Sequence, residues 1–186
     1  MITVSEESIK KTVELFDNLT DDDAIEIGEQ FAGEQPYLMA FIQAMASLHQ
    51  QEEEEDEDGG ELLDDDVAED LNYYAMFLWK AFEFEAGEIP TLEKEEVEEQ
   101  SNSSIEEIQK LVAIFEGEER GNMEKQFEKL RQPVLFSYLL SILYGELDEE
   151  DQGFVDDDAN YLFLVSNQVV QMLDQKVNGS RIKVSG

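Results

Sequence analysis

Apolar residues along this chain recur at helical spacing, and the alternation that strands need is scarce. Ile9, Val13 and Phe16 fall at i, i+4 and i+7, and Thr3 followed three residues later by Glu6 has the form of a capping box, which predicts a first helix. A second begins at the Thr20–Asp23 acidic cluster, where negative side chains suit the positive end of a helix. It runs to about Ala32, and Gly33 and Pro36 break it. Pro36 suits the first turn of a third helix, Tyr37 to about Leu48. Leu38, Met39, Phe41, Ile42 and Met45 occupy most of its circumference, so burial on more than one side is expected. An acidic loop follows from Glu52 to about Glu61, with Gly59-Gly60 inside it. Asp64, Asp65 and Asp66 then cap a fourth helix carrying Leu71, Tyr74, Ala75, Leu78 and Phe82. A charged connector, residues 87–104, leaves room for one short helix after Thr91.

The pattern then restarts. Ile9, Lys11, Val13 and Phe16 recur as Ile108, Lys110, Val112 and Phe115, and Gln35-Pro36-Tyr37-Leu38 recurs as Gln132-Pro133-Val134-Leu135. Asp56, Asp58, Leu63 and Asp64–Asp66 recur as Asp148, Glu150, Val155 and Asp156–Asp158, a shift of 92. Glu69 to Tyr73 recurs as Asp157 to Tyr161, a shift of 88, and the last two alignments overlap and exclude one another in detail. The expected fold is all-α: two tandem, internally duplicated units of about four helices each, packed as one compact helical domain. The units are residues 1–86 and 105–177, joined by the connector 87–104 and followed by a disordered tail, 178–186. The strongly apolar third helices, Tyr37–Leu48 and Val134–Tyr144, are expected at the centre.

Composition narrows the function. The chain has 186 residues, 41% of them hydrophobic, enough for a sizeable core. It has no cysteine, which excludes disulfides, thiolate metal sites and cysteine nucleophiles. The start, MITVSEESIKK, lacks the apolar run of a signal peptide, and the longest apolar run, Val134–Tyr144, falls short of the roughly 20 residues a membrane span needs. A soluble, cytoplasmic protein is expected.

Charge changes the picture more. There are 47 acidic residues against 12 basic ones, a net charge of −35. Nucleic acids and anionic membranes carry the same sign, so direct binding to either is not expected, whereas a basic protein is attracted. Residues 52–99 hold 21 acidic and 2 basic residues, more than half of the excess on about a quarter of the chain, while Lys176, Arg181 and Lys183 lie beyond the last acid, Asp174. The candidate partner-binding residues are therefore Glu52, Glu53, Glu54, Glu55, Asp56, Glu57 and Asp58, then Asp64, Asp65 and Asp66. Asp156, Asp157 and Asp158 join them at the matched place in the second unit. Excess acid is also what a brine-adapted protein carries, so incidental acidity on a helical-repeat adaptor is the competing expectation.

Candidate chemistry is thin. Asp148-x-Glu150-x-Gln152-Gly153-Phe154-Val155 resembles the start of a calcium-binding EF-hand loop, but its twelfth position is Ala159 where a bidentate Glu is needed. The stretch Asp56–Val67 departs further. His49, the only histidine, follows an apolar helix and is expected at the surface; alone it supplies neither a paired metal motif nor a general base with a partner. Asn72-Tyr73 and Asn160-Tyr161 sit in apolar helices, where an Asn side chain needs a structural hydrogen bond, expected to a neighbouring loop, and Trp79 with the aromatics of Tyr73–Phe84 reads as core or interface. No catalytic residue, metal or cofactor is expected. The leading expectation is a non-enzymatic acidic interaction module that docks a basic protein, as nucleic-acid mimics, immunity proteins and histone-type chaperones do. A small-molecule or metal-binding protein with a pocket between the two units is a third possibility.

Overall fold

The computed structural model describes residues 1–56, 65–101, 131–144 and 157–179, and for 50–56, 65, 66, 144, 157 and 158 it describes the backbone alone. Every regular element among the described residues is a helix. In chain order these are α1 (Glu6–Asp17), α2 (Asp21–Glu34), α3 (Pro36–Asp56), α4 (Asp65–Ala86), α5 (residues 94–101), α6 (Pro133–Tyr144) and α7 (Asp157–Asn178).

Local chemistry explains the boundaries. Thr20 caps α2 by a capping box: its hydroxyl accepts from the Asp23 N–H, and the Asp23 carboxylate accepts from the Thr20 N–H at 3.1 Å. The Thr20 hydroxyl and N–H hold the Asp23 carboxyl below its ordinary range. For α1 the cap is Ser5, whose hydroxyl accepts from the Ser8 N–H, and not Thr3. Val4, fully buried in the extended segment before the helix, moves the first turn two residues along. α3 also exceeds its expected end, continuing through Gln50 and Gln51 into Glu52–Asp56. Gln and Glu are strong helix formers, and here that propensity outweighs the unfavourable placement of acids at a helix C-terminus.

The centre differs from the sequence expectation. α4 packs on α1, α2, α3 and α7, and the α4–α7 contact is the most extensive among the described residues. α3 and α6 lie outside this pair, α3 against α4 and α2, α6 against α7. The reason is visible in the side chains. α4 buries Phe77, Leu78, Trp79, Ala81 and Phe82 almost completely, and α7 buries an unbroken run from Val165 to Val170 that includes Ser166, Asn167 and Gln168. On the outer side of α6, by contrast, Ser137, Ser141 and Ile142 are exposed.

Two buried glutamines tie distant segments to this core. Gln35, fully buried just before α3, accepts from the Leu92 N–H at 3.0 Å and donates to the Ile89 and Pro90 carbonyls. Gln132, buried just before α6, accepts from the Val4 N–H at 2.8 Å and donates to the Ile2 carbonyl and to the Asp174 carboxylate. Each side-chain amide thus pairs with the backbone of a segment that lies outside any helix. Arg131 Nε pairs with the other oxygen of Asp174 at 3.0 Å, and Asn178 bonds both Asp174 and the Ile2 backbone.

One carboxylate locks α1 to α4. Glu85 Oε2 accepts from the Ser5 N–H at 3.0 Å and from the Ser5 and Ser8 hydroxyls at 2.7 and 2.8 Å. These bonds, Ser5 first, hold the Glu85 carboxyl below its ordinary value of 4.5. A carboxyl whose folded pKa is depressed stabilises the fold above its unfolded pKa and stops doing so as pH falls through the folded pKa. Glu85→Ala is expected to cost about 1 kcal/mol at pH 7, the size of a lost helix cap. That difference from the parent protein should shrink once pH drops below 4.5. Urea midpoints of the two proteins across that range check it; a pH-independent difference would rule out the carboxylate as the cause.

Candidate binding surface

The acidic residues singled out from sequence fall at helix ends or beyond the described chain. Glu52, Glu53, Glu54, Glu55 and Asp56 form the last turns of α3, so the expected loop is helical there. Asp65 and Asp66 open α4, and Asp157 and Asp158 open α7. Glu57, Asp58, Asp64 and Asp156 lie outside the described residues, as do the EF-hand-like stretch Asp148–Val155 and the tail from 180. Among the described residues no group of three or more His, Asp or Glu side chains is placed to hold a metal ion. None of their helices is long and apolar enough to cross a membrane.

The described acids find little internal compensation. Every lysine and arginine among the described residues is already paired with a carboxylate: Lys10 with Glu14, Lys11 with Glu7, Lys80 with Glu83, Lys94 with Glu98, Arg131 with Asp174 and Lys176 with Glu96. Burial pushes the Glu96 carboxyl up, but the Glu93 N–H and Lys176 together bring it below its ordinary value. Asp17, Asp21, Asp22, Glu26, Glu29 and Glu69 stand exposed.

His49 is not at the surface. It is buried, and its ring stacks on Tyr161 at 4.5 Å between centroids. α3 runs on past it, so the ring is carried against α7 rather than into solvent. The Tyr161 hydroxyl donates to the Met45 carbonyl at 2.6 Å. Asn72 does make a structural hydrogen bond, but to the Ala68 carbonyl of its own helix and not to a loop. Trp79 is core, with no solvent exposure.

Two surface features combine apolar area with acid. An open groove of ≈ 530 Å³ lies between α1, α2 and α4, within the first half of the chain and not between the two halves. Leu15, Ile27 and Phe84 supply its apolar lining and Glu34, Glu83 and Glu88 its acids. Lys80, the single base, is neutralised there by Glu83 at 2.7 Å, donates to Gln30 and sits 4.1 Å over the Trp79 ring.

The second feature is an aromatic cluster where α1 ends beside the N-terminal half of α4. Phe16 meets Tyr73 edge-on at 5.2 Å, and Tyr73 meets Tyr74 nearly at right angles at 5.4 Å. Phe77 joins them, touching Phe16 and stacking on Tyr138 of α6 at 5.1 Å. The phenols sense one another: burial, then Tyr73, Tyr74 and Asp17, push Tyr138 up to about 12. Burial, then Asp17 and Asp70, also raise Tyr73, although its side chain is 42% exposed. The stretch divides between the two expected places, Phe77, Trp79 and Phe82 in the core and Tyr73 and Phe84 at the surface, a division periodicity alone does not make. No family model, curated protein or solved structure matches this chain.

Proposed function

We propose that this chain is a non-enzymatic interaction module whose acidic surface docks a basic protein. The observation that carries the reading is that every lysine and arginine among the described residues is already paired with a carboxylate, so the exposed acids there attract cations from outside the molecule. The groove beside Lys80 supports the same reading, because its acids outnumber its base. The acidic helix ends, Glu52–Asp56 and Asp65–Asp66, with Asp157–Asp158, are the encounter surface in this proposal.

The proposal extends to the two-unit organisation. α4 and α7 have the same length, 22 residues, and each is followed by a glycine at positive φ, Gly87 at 81° and Gly179 at 73°. Both pairs are related by the shift of 92, which favours that alignment over 88. The buried glutamines before α3 and α6 act alike, Gln35 holding the segment before α5 and Gln132 the segment before α1. A duplicated unit accounts for the matched pairs.

Binding of an arginine-rich peptide of about 20 residues tests the docking function, measured at about 50 and 500 mM salt. Changing Glu52–Glu55 to Gln, and separately Asp65 and Asp66 to Asn, should slow association several-fold and leave dissociation nearly unchanged, since exposed charges act on encounter. Unchanged association in both variants, with helix content intact, would overturn the assignment of this surface.

A further inference from the structure

We infer that the corner formed by Tyr73, Tyr74 and Tyr138, beside Asp17 and Asp70, is the seat for an arginine guanidinium presented by the basic partner. The inference rests on the docking reading above and names the contact that would anchor it. Tyr73 and Tyr74 stand at 81° to one another, so their faces make two walls of a corner, and Tyr138, stacked on Phe77, backs it from α6. Phe16 braces Tyr73 from α1 and Phe77 lies under both. The corner is therefore aromatic surface built from three helices.

Its electrostatics choose the occupant. The negative faces of the rings attract cations, and Asp17 and Asp70 lie close enough to act on the Tyr73 phenol. Both acids are exposed, one at the end of α1 and the other one turn before Tyr73 on α4. An anion is excluded by the carboxylates, and a second copy of this chain by the shared charge of −35. A guanidinium fits better than an ammonium. It is planar, weakly hydrated and stacks on ring faces, and its fork of N–H donors leaves edges free for carboxylates. The molecule uses a similar contact internally, where the Lys80 ammonium rests over Trp79.

Stopped-flow binding of two peptides of equal charge and about 20 residues, one arginine-rich and one lysine-rich, tests this. Tyr73→Leu and Tyr138→Leu should each speed dissociation of the arginine peptide roughly three- to tenfold, with association little changed, because a neutral ring contributes to the docked state and not to steering. Tyr73→Phe keeps the ring face and should stay near the parent rate. Asp17→Asn and Asp70→Asn should instead slow association. Tyr138 also supports Phe77, so Tyr73→Leu, on the exposed ring, keeps the test decisive if Tyr138→Leu loses structure. Binding that persists with unchanged dissociation in Tyr73→Leu overturns the seat and leaves the docking function standing. A loss in Tyr73→Phe equal to that in Tyr73→Leu overturns the role of the ring face. No binding of either peptide to the parent protein at about 50 mM salt overturns both proposals.

Discussion

Replacing Gln132 with glutamate should cost roughly 3–5 kcal/mol of folding free energy, the range for an uncompensated buried charge. The Gln132 side chain is 1% exposed and its two ends are used differently: the oxygen accepts from the Val4 N–H, and the nitrogen donates to the Ile2 carbonyl and, at 2.7 Å, to Asp174. Glutamate preserves the first contact and inverts the others, setting a carboxylate against a carbonyl and against a buried carboxylate. Arg131 already pairs with the far oxygen of Asp174 and is itself half in solvent, so it offsets little of the repulsion. The same exchange at Gln35 also buries a charge and sets it against the Ile89 and Pro90 carbonyls at 3.4 and 3.3 Å, but with no second carboxylate among its bonded partners it should cost less than Gln132→Glu. Urea unfolding of both variants at pH 7 gives the comparison, and acidification should narrow the Gln132→Glu deficit as the carboxyl pair takes up a proton. Equal costs at the two sites would mean that Asp174 plays no part.

The second large effect is expected on α4. Phe82 has no solvent exposure and Phe84 is 44% exposed, although two positions separate them. Phe82→Ala should destabilise by about 3–5 kcal/mol, since the helices around it cannot all move in to fill the space. Phe84→Ala should stay within about 1 kcal/mol, because the exposed ring loses little burial. Thermal and urea denaturation of the two variants read this directly. Comparable losses would place Phe84 in the core and close the groove it lines.

Much of the helix order was legible because it rests on local chemistry. The Thr20–Asp23 capping box, Pro36 and Pro133 in helical first turns and the apolar spacing of α4 each follow from neighbours in sequence. What could not be read depends on distant contacts. Val4 displaces the cap from Thr3 to Ser5 because Gln132, 128 residues away, holds it. Ser166, Asn167 and Gln168 conceal that α7 is central, since polar residues argue for exposure until their surroundings are known. His49 reads as a surface residue only if α3 stops before it. The candidate site divides the same way. Acid runs are visible as composition, whereas the corner at Tyr73 requires α1, α4 and α6 to meet, which no spacing within one helix reveals.

The Gln132 clamp also sets an order of events during synthesis. Residues 2–4 leave the ribosome 128 residues or more ahead of the side chain that satisfies the Val4 N–H, and further still ahead of Asn178, which brackets Ile2. At ribosomal speeds of roughly 5–20 residues per second, that interval is on the order of 10 s. Through it α1 has its Ser5 cap, and Glu85 once that residue is made, but the segment before it lacks the Gln132 and Asn178 bonds. The seating of residues 2–4 is therefore a closing step, one that waits for α6 and α7 and fastens the bundle only after both have been made.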